Sequence, residues 1–158
     1  MNRRYAADTV VGVDRTQVEI HGLLAKHGAT ARAVGVDEST GRASIMFVLS
    51  GRQIRVEVLL PANGPPTSPP RGWYRWTDAQ RQRWTTDQRE KLARSTWRGL
   101  LLLLRAKLEA IEGGYSSVEH EFLADVLLPD GQTVGQLVMP AVKKAYLTGG
   151  PTKLLPEA

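Results

Sequence analysis

A ten-residue segment, PANGPPTSPP at 61–70, is the feature that most limits how this chain can fold. It contains five of the nine prolines of the sequence. Proline fixes φ and lacks a backbone N–H, so this segment can neither continue a sheet nor begin a helix. We therefore predict a semi-rigid connector over 61–76, which divides the 158 residues into a strand-forming part and a helical part.

The part before the connector has the pattern of a helix followed by three strands. Extended segments at 30–36, 43–49 and 54–58 are separated by turn-rich residues, and apolar and polar residues alternate in the third. This pattern predicts an antiparallel three-stranded meander with one buried face. Ahead of it, Asp14 is a candidate N-cap for a helix over about 15–27, preceded by a loose arm at 1–12.

The part after the connector is helical. Thr77 or Asp78 can cap a helix that runs to Glu112 and ends at Gly113-Gly114. One apolar row has alternating four- and three-residue spacing, typical of a buried helix face, and two leucines widen it: it comprises Trp97, Leu101, Leu104, Leu108 and Ile111, with Leu100 and Leu103 beside it.

Two shorter helices and a tail complete the predicted architecture. Ser116 is a candidate cap for the first helix. Thr133 with Gln136 can cap the second, but Pro140 indicates that its regular part runs from 140 to about Leu147, before an irregular tail at 148–158. We therefore predict a single α+β domain. Its order is an N-terminal helix, a three-stranded antiparallel meander, a Pro-rich connector, a long helix and two shorter C-terminal helices.

Several kinds of chemistry find no support in the sequence. The chain has no cysteine, and its longest purely apolar run is far shorter than a membrane span. The histidines at 21, 27 and 120 lack the spacing of a helical metal site, and no glycine-rich phosphate loop is present. The expectation is a soluble, intracellular protein that is not an enzyme, has no metal or cofactor and does not contact a membrane.

The charge is concentrated in residues 71–98. This segment holds all four tryptophans and eight basic against three acidic residues, which equals the whole net charge of +5. Clustered cations gain affinity for polyanions by releasing the counterions condensed on phosphates. The segment therefore indicates a polyanion partner more strongly than the same charge spread over the chain would.

Helical phase separates two of these tryptophans. Trp97 lies on the leucine row and is predicted to be core, whereas Trp84, thirteen residues earlier, lies nearly opposite. Trp84 shares its stripe with cations at 81, 91 and 98. Two interpretations stay open: Trp84 packs on the sheet or a second subunit beside solvated cations, or it stacks on a base while the cations contact phosphates.

The candidate binding residues combine this stripe with the aromatic and basic residues just before the helix. They are Arg71, Trp73, Tyr74, Arg75, Trp76, Arg81, Trp84, Lys91 and Arg98. Protein interfaces are enriched in the same residue types. Nucleic acid, a nucleotide and a host protein therefore all remain candidate partners.

Three stretches carry a resemblance to a known family. GRQIRVEVLLP (51–61), RGLLLLLRAKLEAIEGG (98–114) and EFLADVLLPDGQTVGQLVMPAVKKAYLTGGPTKLLP (121–156) resemble a family of uncharacterised proteins from tailed bacteriophages and prophages. The resemblance implies a phage protein made in the cytoplasm of an infected bacterial cell. It transfers no residue role, because that family has no assigned function.

The leading expectation is a non-enzymatic phage accessory protein that binds nucleic acid, single-stranded and with weak sequence preference, in replication or recombination. The alternative is an inhibitor of a host defence system, which binds a host protein or sequesters a signalling nucleotide. The long helix carries more apolar surface than one small sheet can cover, which predicts a homo-oligomer.

Overall fold

A computed structural model describes residue 6 and residues 8–37, 39–60 and 70–150. It confirms the predicted α+β architecture. The predicted arm at 1–12, the connector and the tail fall partly outside the described residues. The elements in chain order are α1 (Val13–Lys26), β1 (Thr30–Asp37), β2 (Arg42–Leu49), β3 (Arg52–Leu59), α2 (Asp78–Glu112), α3 (Val118–Phe122) and α4 (Val134–Thr148).

The three strands form one antiparallel sheet in the order β1-β2-β3. Ile45 is opposite Val56 and Phe47 is opposite Ile54, and all four are buried. Side chains alternate between the faces of a strand, so these pairs build a single apolar face for the helices to cover.

The first hairpin is closed by the side chain of Asp37. Its carboxylate accepts hydrogen bonds from the backbone N–H of Ser39, 2.9 Å, and from the hydroxyls of Ser39 and Thr40, 2.6 and 2.8 Å. These donors stabilise the ionised carboxylate and lower the pKa of Asp37 to about 2. The hydroxyl and N–H donors of the turn therefore keep this carboxylate ionised.

The apolar row of α2 lies in the centre of the core. Its residues at 97, 101, 104 and 108 are buried together with Ile20 and Leu24 of α1. Phe122 of α3 packs edge-to-face on Phe47 of the sheet, with ring centroids 5.6 Å apart. Leu103, predicted to widen the row, is instead 46% exposed. The sheet, α1 and α3 thus cover the row itself within one chain, whereas Leu102 beside it is 44% exposed.

Two predicted caps are displaced by one or two residues. The α1 helix begins at Val13 after Gly12, which makes no side-chain capping bond, so Asp14 lies in the first turn, where the helix dipole favours a carboxylate. The α3 cap is Ser117 and not Ser116, because the Ser117 hydroxyl accepts the N–H of His120 at 3.1 Å.

The predicted cap of the last helix is confirmed, but the predicted start of its regular part at Pro140 is wrong. The α4 helix begins at Val134, capped by reciprocal hydrogen bonds between Thr133 and Gln136, and Pro140 lies inside it. The capping box satisfies N–H groups of the first turn, whereas Pro140 removes a single intrahelical hydrogen bond. The helix therefore starts at the cap and continues through the proline.

The α1 and α2 helices run side by side in the same direction. Arg98 of α2 lies 2.7 Å from Glu19 of α1, and further along both helices Glu109 lies 3.6 Å from Lys26. The α2 helix begins well before this pairing, and it contains no buried residue ahead of Ser95. Within the described part of the chain, its first four turns therefore extend beyond the core.

Candidate nucleic-acid interface

A tight turn precedes α2 and brings the tryptophans together. Gly72 has a φ of 89°, and the turn Trp73–Arg75 that follows is held by hydrogen bonds from the N–H of Arg75 to the carbonyl of Gly72, 2.9 Å, and from Trp76 to Trp73, 3.1 Å. A positive φ is accessible to glycine at little cost. The turn reverses the chain, so residue 73 comes to lie against the first turns of α2.

Three tryptophans form an indole cluster, defined here as Trp73, Trp76 and Trp84. The ring of Trp73 lies 5.4 Å from that of Trp76 and 5.0 Å from that of Trp84, at interplanar angles of 43° and 73°. All three are half-buried. The aromatic contact of Trp84 is therefore with the connecting segment, a partner that neither interpretation of the sequence had included.

A recess opens beside the cluster, with a volume of about 380 Å³. This volume falls within the range of small-molecule sites, about 300–1,000 Å³. The recess is lined by two indoles together with one amide, one guanidinium and one carboxylate, which suit a flat, polar-edged ring attached to an anion. Its lining residues are Trp76, Gln80, Arg83, Trp84 and Asp87.

Hydrogen bonds at the start of α2 fix the orientation of the lining. The Thr77 hydroxyl accepts the N–H of Gln80 at 3.3 Å, and Oε1 of Gln80 accepts the N–H of Thr77 at 2.8 Å. This capping box occupies the amide oxygen of Gln80, so the amide NH₂ group is the part that can reach a ligand.

Arg81 connects the turn to the helix. Its Nη2 donates to the carbonyl of Tyr74 at 3.2 Å, and its Nη1 lies 3.5 Å from the carboxylate of Asp78. The guanidinium therefore holds the turn, and the indole that follows it, against α2. In this geometry Arg81 positions the cluster and does not line the recess.

Two of the predicted cations face α1 and its preceding segment. Lys91 Nζ lies 3.0 Å from Asp8, and Arg98, with 23% of its side chain exposed, lies 2.7 Å from Glu19. Ser95, on the same stripe, is buried. The stripe predicted to face solvent is thus covered from Lys91 onward, and neither cation belongs to the recess.

Four arginines near the cluster have no ion pair with any described residue. Arg71, Arg75, Arg83 and Arg89 are all exposed. The guanidinium of Arg75 lies over the ring of Tyr74, with 5.3 Å to the ring centroid. Arg83 was not among the predicted site residues. The signal that could have found it is its position one residue before Trp84, in a part of the helix that precedes the leucine row.

Asp125 is the other described carboxylate whose acidity departs from its ordinary range. Burial raises its pKa, and the positive charge of Lys107 acts against this. It lies in the short turn Leu123–Asp125 after α3, and it does not line the recess.

Comparisons with protein-family models, with curated proteins and with solved structures find no match. None of the helices in the described ranges has the length and apolar character needed to cross a membrane. The function therefore has to be argued from the geometry of the indole cluster and its recess.

Proposed function

We propose that the protein is a non-enzymatic nucleic-acid-binding protein that takes single-stranded nucleic acid with weak sequence preference. One observation carries the proposal: a recess lined by two indoles opens beside arginines that have no ion pair with a described residue, on a helix end that extends beyond the core. The resemblance to phage proteins adds the setting that we propose, which is replication or recombination in an infected bacterial cell.

In this proposal the recess receives an unpaired base. Stacking on an aromatic side chain contributes about 1–3 kcal/mol per base and needs no particular base identity. The faces of Trp76 and Trp84 supply the stacking surface, while Gln80 and Asp87 can exchange hydrogen bonds with the polar edge of a base. In a duplex the base faces are already stacked, so the recess favours single strands.

In this proposal the exposed arginines contact the phosphates. Arg83 lines the recess, and Arg71 and Arg75 flank the indole cluster. Each is unpaired among the described residues, so a phosphate need not displace a carboxylate there. Lys91 and Arg98 would first have to leave Asp8 and Glu19, and we therefore remove them from the proposed contact set.

The direct test measures binding of the full chain to a fluorescent single-stranded oligonucleotide by anisotropy. Binding is expected at about 50 mM salt, and Trp84→Ala and Trp76→Ala are each expected to weaken it by about tenfold, the loss of one stacked base. Tyr115→Ala is the matched control, because Tyr115 is an 89% exposed aromatic residue beyond the other end of α2. Absence of binding at this salt concentration, or an equal loss from Tyr115→Ala, would contradict the proposal.

A second candidate uses the same recess for a free nucleotide. A volume of about 380 Å³ holds one ring system, so sequestration of a signalling nucleotide, as in an inhibitor of host defence, fits the same lining. Thermal shift with mononucleotides separates the two candidates. If a mononucleotide binds as tightly as an oligonucleotide, sequestration is favoured. Masking of a host protein predicts that neither binds and that a defined host protein is retained by the wild type but not by Trp84→Ala.

A further inference from the structure

A histidine and two glutamates meet where the paired helices end. His27 follows the last residue of α1, and Glu109 and Glu112 lie in the last turn of α2. Nδ1 of His27 is 3.1 Å from Oε2 of Glu112, and Nε2 is 3.8 Å from Oε1 of Glu109. One donor atom from each residue can be chosen so that all three lie within 4.8 Å of one another.

The imidazole of His27 is buried, and one of its two nitrogens makes no hydrogen bond. Only 6% of the His27 side chain is exposed, and Nε2 makes no hydrogen bond. The separation of 3.8 Å from Glu109 is too long for a hydrogen bond. Buried polar atoms are almost always paired. Nε2, a buried nitrogen without a hydrogen bond beside the carboxylate of Glu109, therefore indicates a missing ligand.

The two carboxylates supply the negative charge and the oxygen ligands that a cation site needs. Glu109 and Glu112 are three residues apart, so they share one face of α2. They also lie at the negative end of the helix dipole, which disfavours two further negative charges. The ammonium of Lys26 lies 3.6 Å from Glu109, on a side chain that is 62% exposed.

We propose that His27, Glu109 and Glu112 bind one divalent transition-metal ion, with zinc as the best match. Zinc accepts both imidazole nitrogen and carboxylate oxygen at about 2.0–2.2 Å, and two of its tetrahedral ligands lie about 3.3 Å apart. Nε2 of His27 and Oε1 of Glu109 are 3.8 Å apart, about half an ångström more than this separation. Both glutamates are more than half exposed, so their carboxylates can rotate toward Nε2 while the buried imidazole stays in place.

The ion would join the ends of α1 and α2. A cavity of about 300 Å³ adjoins the cluster and is lined by Lys26, Leu49, Ser50, Leu108 and Ile111 among others, together with His27 and Glu112. It leaves room for a water molecule as the fourth ligand. Since His27 and the glutamates are 82 and 85 positions apart, the ion would act as a cross-link between distant segments.

The test is a titration of the chelator-treated full chain with zinc chloride, followed by calorimetry and by thermal melting. We expect one ion per chain, half-saturation below about 0.1 mM and a rise in Tm. His27→Asn, Glu109→Gln and Glu112→Gln are each expected to weaken binding by at least about tenfold. His21→Asn and His120→Asn are the matched controls. Lys26→Met, which removes the competing ammonium, is expected to tighten binding.

The results that would overturn the proposal are distinct. Absence of zinc binding at 1 mM, a concentration about tenfold above the expected half-saturation, would reject the site. Unchanged binding in His27→Asn would show that the ion binds elsewhere, as would unchanged binding in both glutamine variants. If any of these variants fails to fold, the Lys26→Met variant still decides, because unaltered or weaker zinc binding there contradicts the geometry.

Discussion

The replacement of Arg83 by alanine separates the proposed interface from the one that the sequence predicted. Arg83 lines the recess and has no ion pair among the described residues. Lys91 lies two turns further along α2 and is paired with Asp8 at 3.0 Å. Both substitutions remove one positive charge from the same helix. Only the first should remove a phosphate contact.

The expected magnitude follows from counterion release. Binding to a single strand loses affinity with salt at a logarithmic slope of about −0.7 for each phosphate neutralised. With Arg71, Arg75 and Arg83 in contact, the slope is about −2, so raising salt from 50 to 200 mM weakens binding about 20-fold. Without Arg83 the slope falls to about −1.4 and the loss is about sevenfold.

The assay is anisotropy of a labelled oligonucleotide at several salt concentrations, for the wild type, Arg83→Ala and Lys91→Ala. We expect the slope to change in Arg83→Ala and to stay at the wild-type value in Lys91→Ala. Equal slopes for the wild type and Arg83→Ala would refute the assignment of Arg83. A slope reduced equally in both variants would show that the Lys91–Asp8 pair opens on binding and that the original stripe is the interface.

Two further predictions concern stability and association. Because burial raises the pKa of Asp125, its ionisation opposes folding as pH rises, so Asp125→Asn is expected to raise Tm at pH 7. This gain should vanish below about pH 4, the ordinary pKa of an aspartate, and calorimetry showing an equal gain at pH 3 would contradict it. The expected homo-oligomer now depends on α4, which has no buried residue within the described part of the chain and carries an apolar row with helical spacing. Light scattering should show a dimer that Val138→Asp dissociates, and a monomer mass at all concentrations would contradict this. The row comprises Val134, Leu137, Val138, Ala141, Val142 and Ala145.

The parts of the fold that could be predicted are those with strong local signals. The α2 helix ends at Glu112 as predicted, because a capping box at Thr77, an apolar row and two terminal glycines all agree. At the start of α3 the local signals do not agree on one residue, so the cap predicted at Ser116 was displaced. Ser116 and Ser117 are both competent caps, so the residue type alone does not distinguish between them, and the structure uses Ser117. The start predicted at Pro140 was wrong, because the rule that proline disfavours a helix interior was given more weight than the better cap before it.

The candidate site could be predicted only in part. The position of a residue around its own helix shows which residues share a face, but it does not show which segment packs against that face. The separation of Trp97 from Trp84 is confirmed, with Trp97 only 1% exposed. Arg98 and Glu19 are 79 residues apart in the sequence, and the spacing of residues within one helix cannot predict such a pair. The histidines were compared only with one another, so the glutamates that approach His27 from another helix were missed.

Both proposed sites depend on how α1 packs against α2, because the two helices differ in length. The α1 helix has 14 residues and α2 has 35, so α1 can cover only part of its neighbour. Their pairing leaves the first turns of α2 clear for the recess and brings His27 to the glutamates at the other end. From Trp84 to Glu109 the helix rises about 37 Å, well beyond the separation at which sites usually become energetically independent, about 7–10 Å. Failure of the zinc site would therefore leave the argument for nucleic-acid binding unchanged, and loss of oligonucleotide binding would say nothing against the metal.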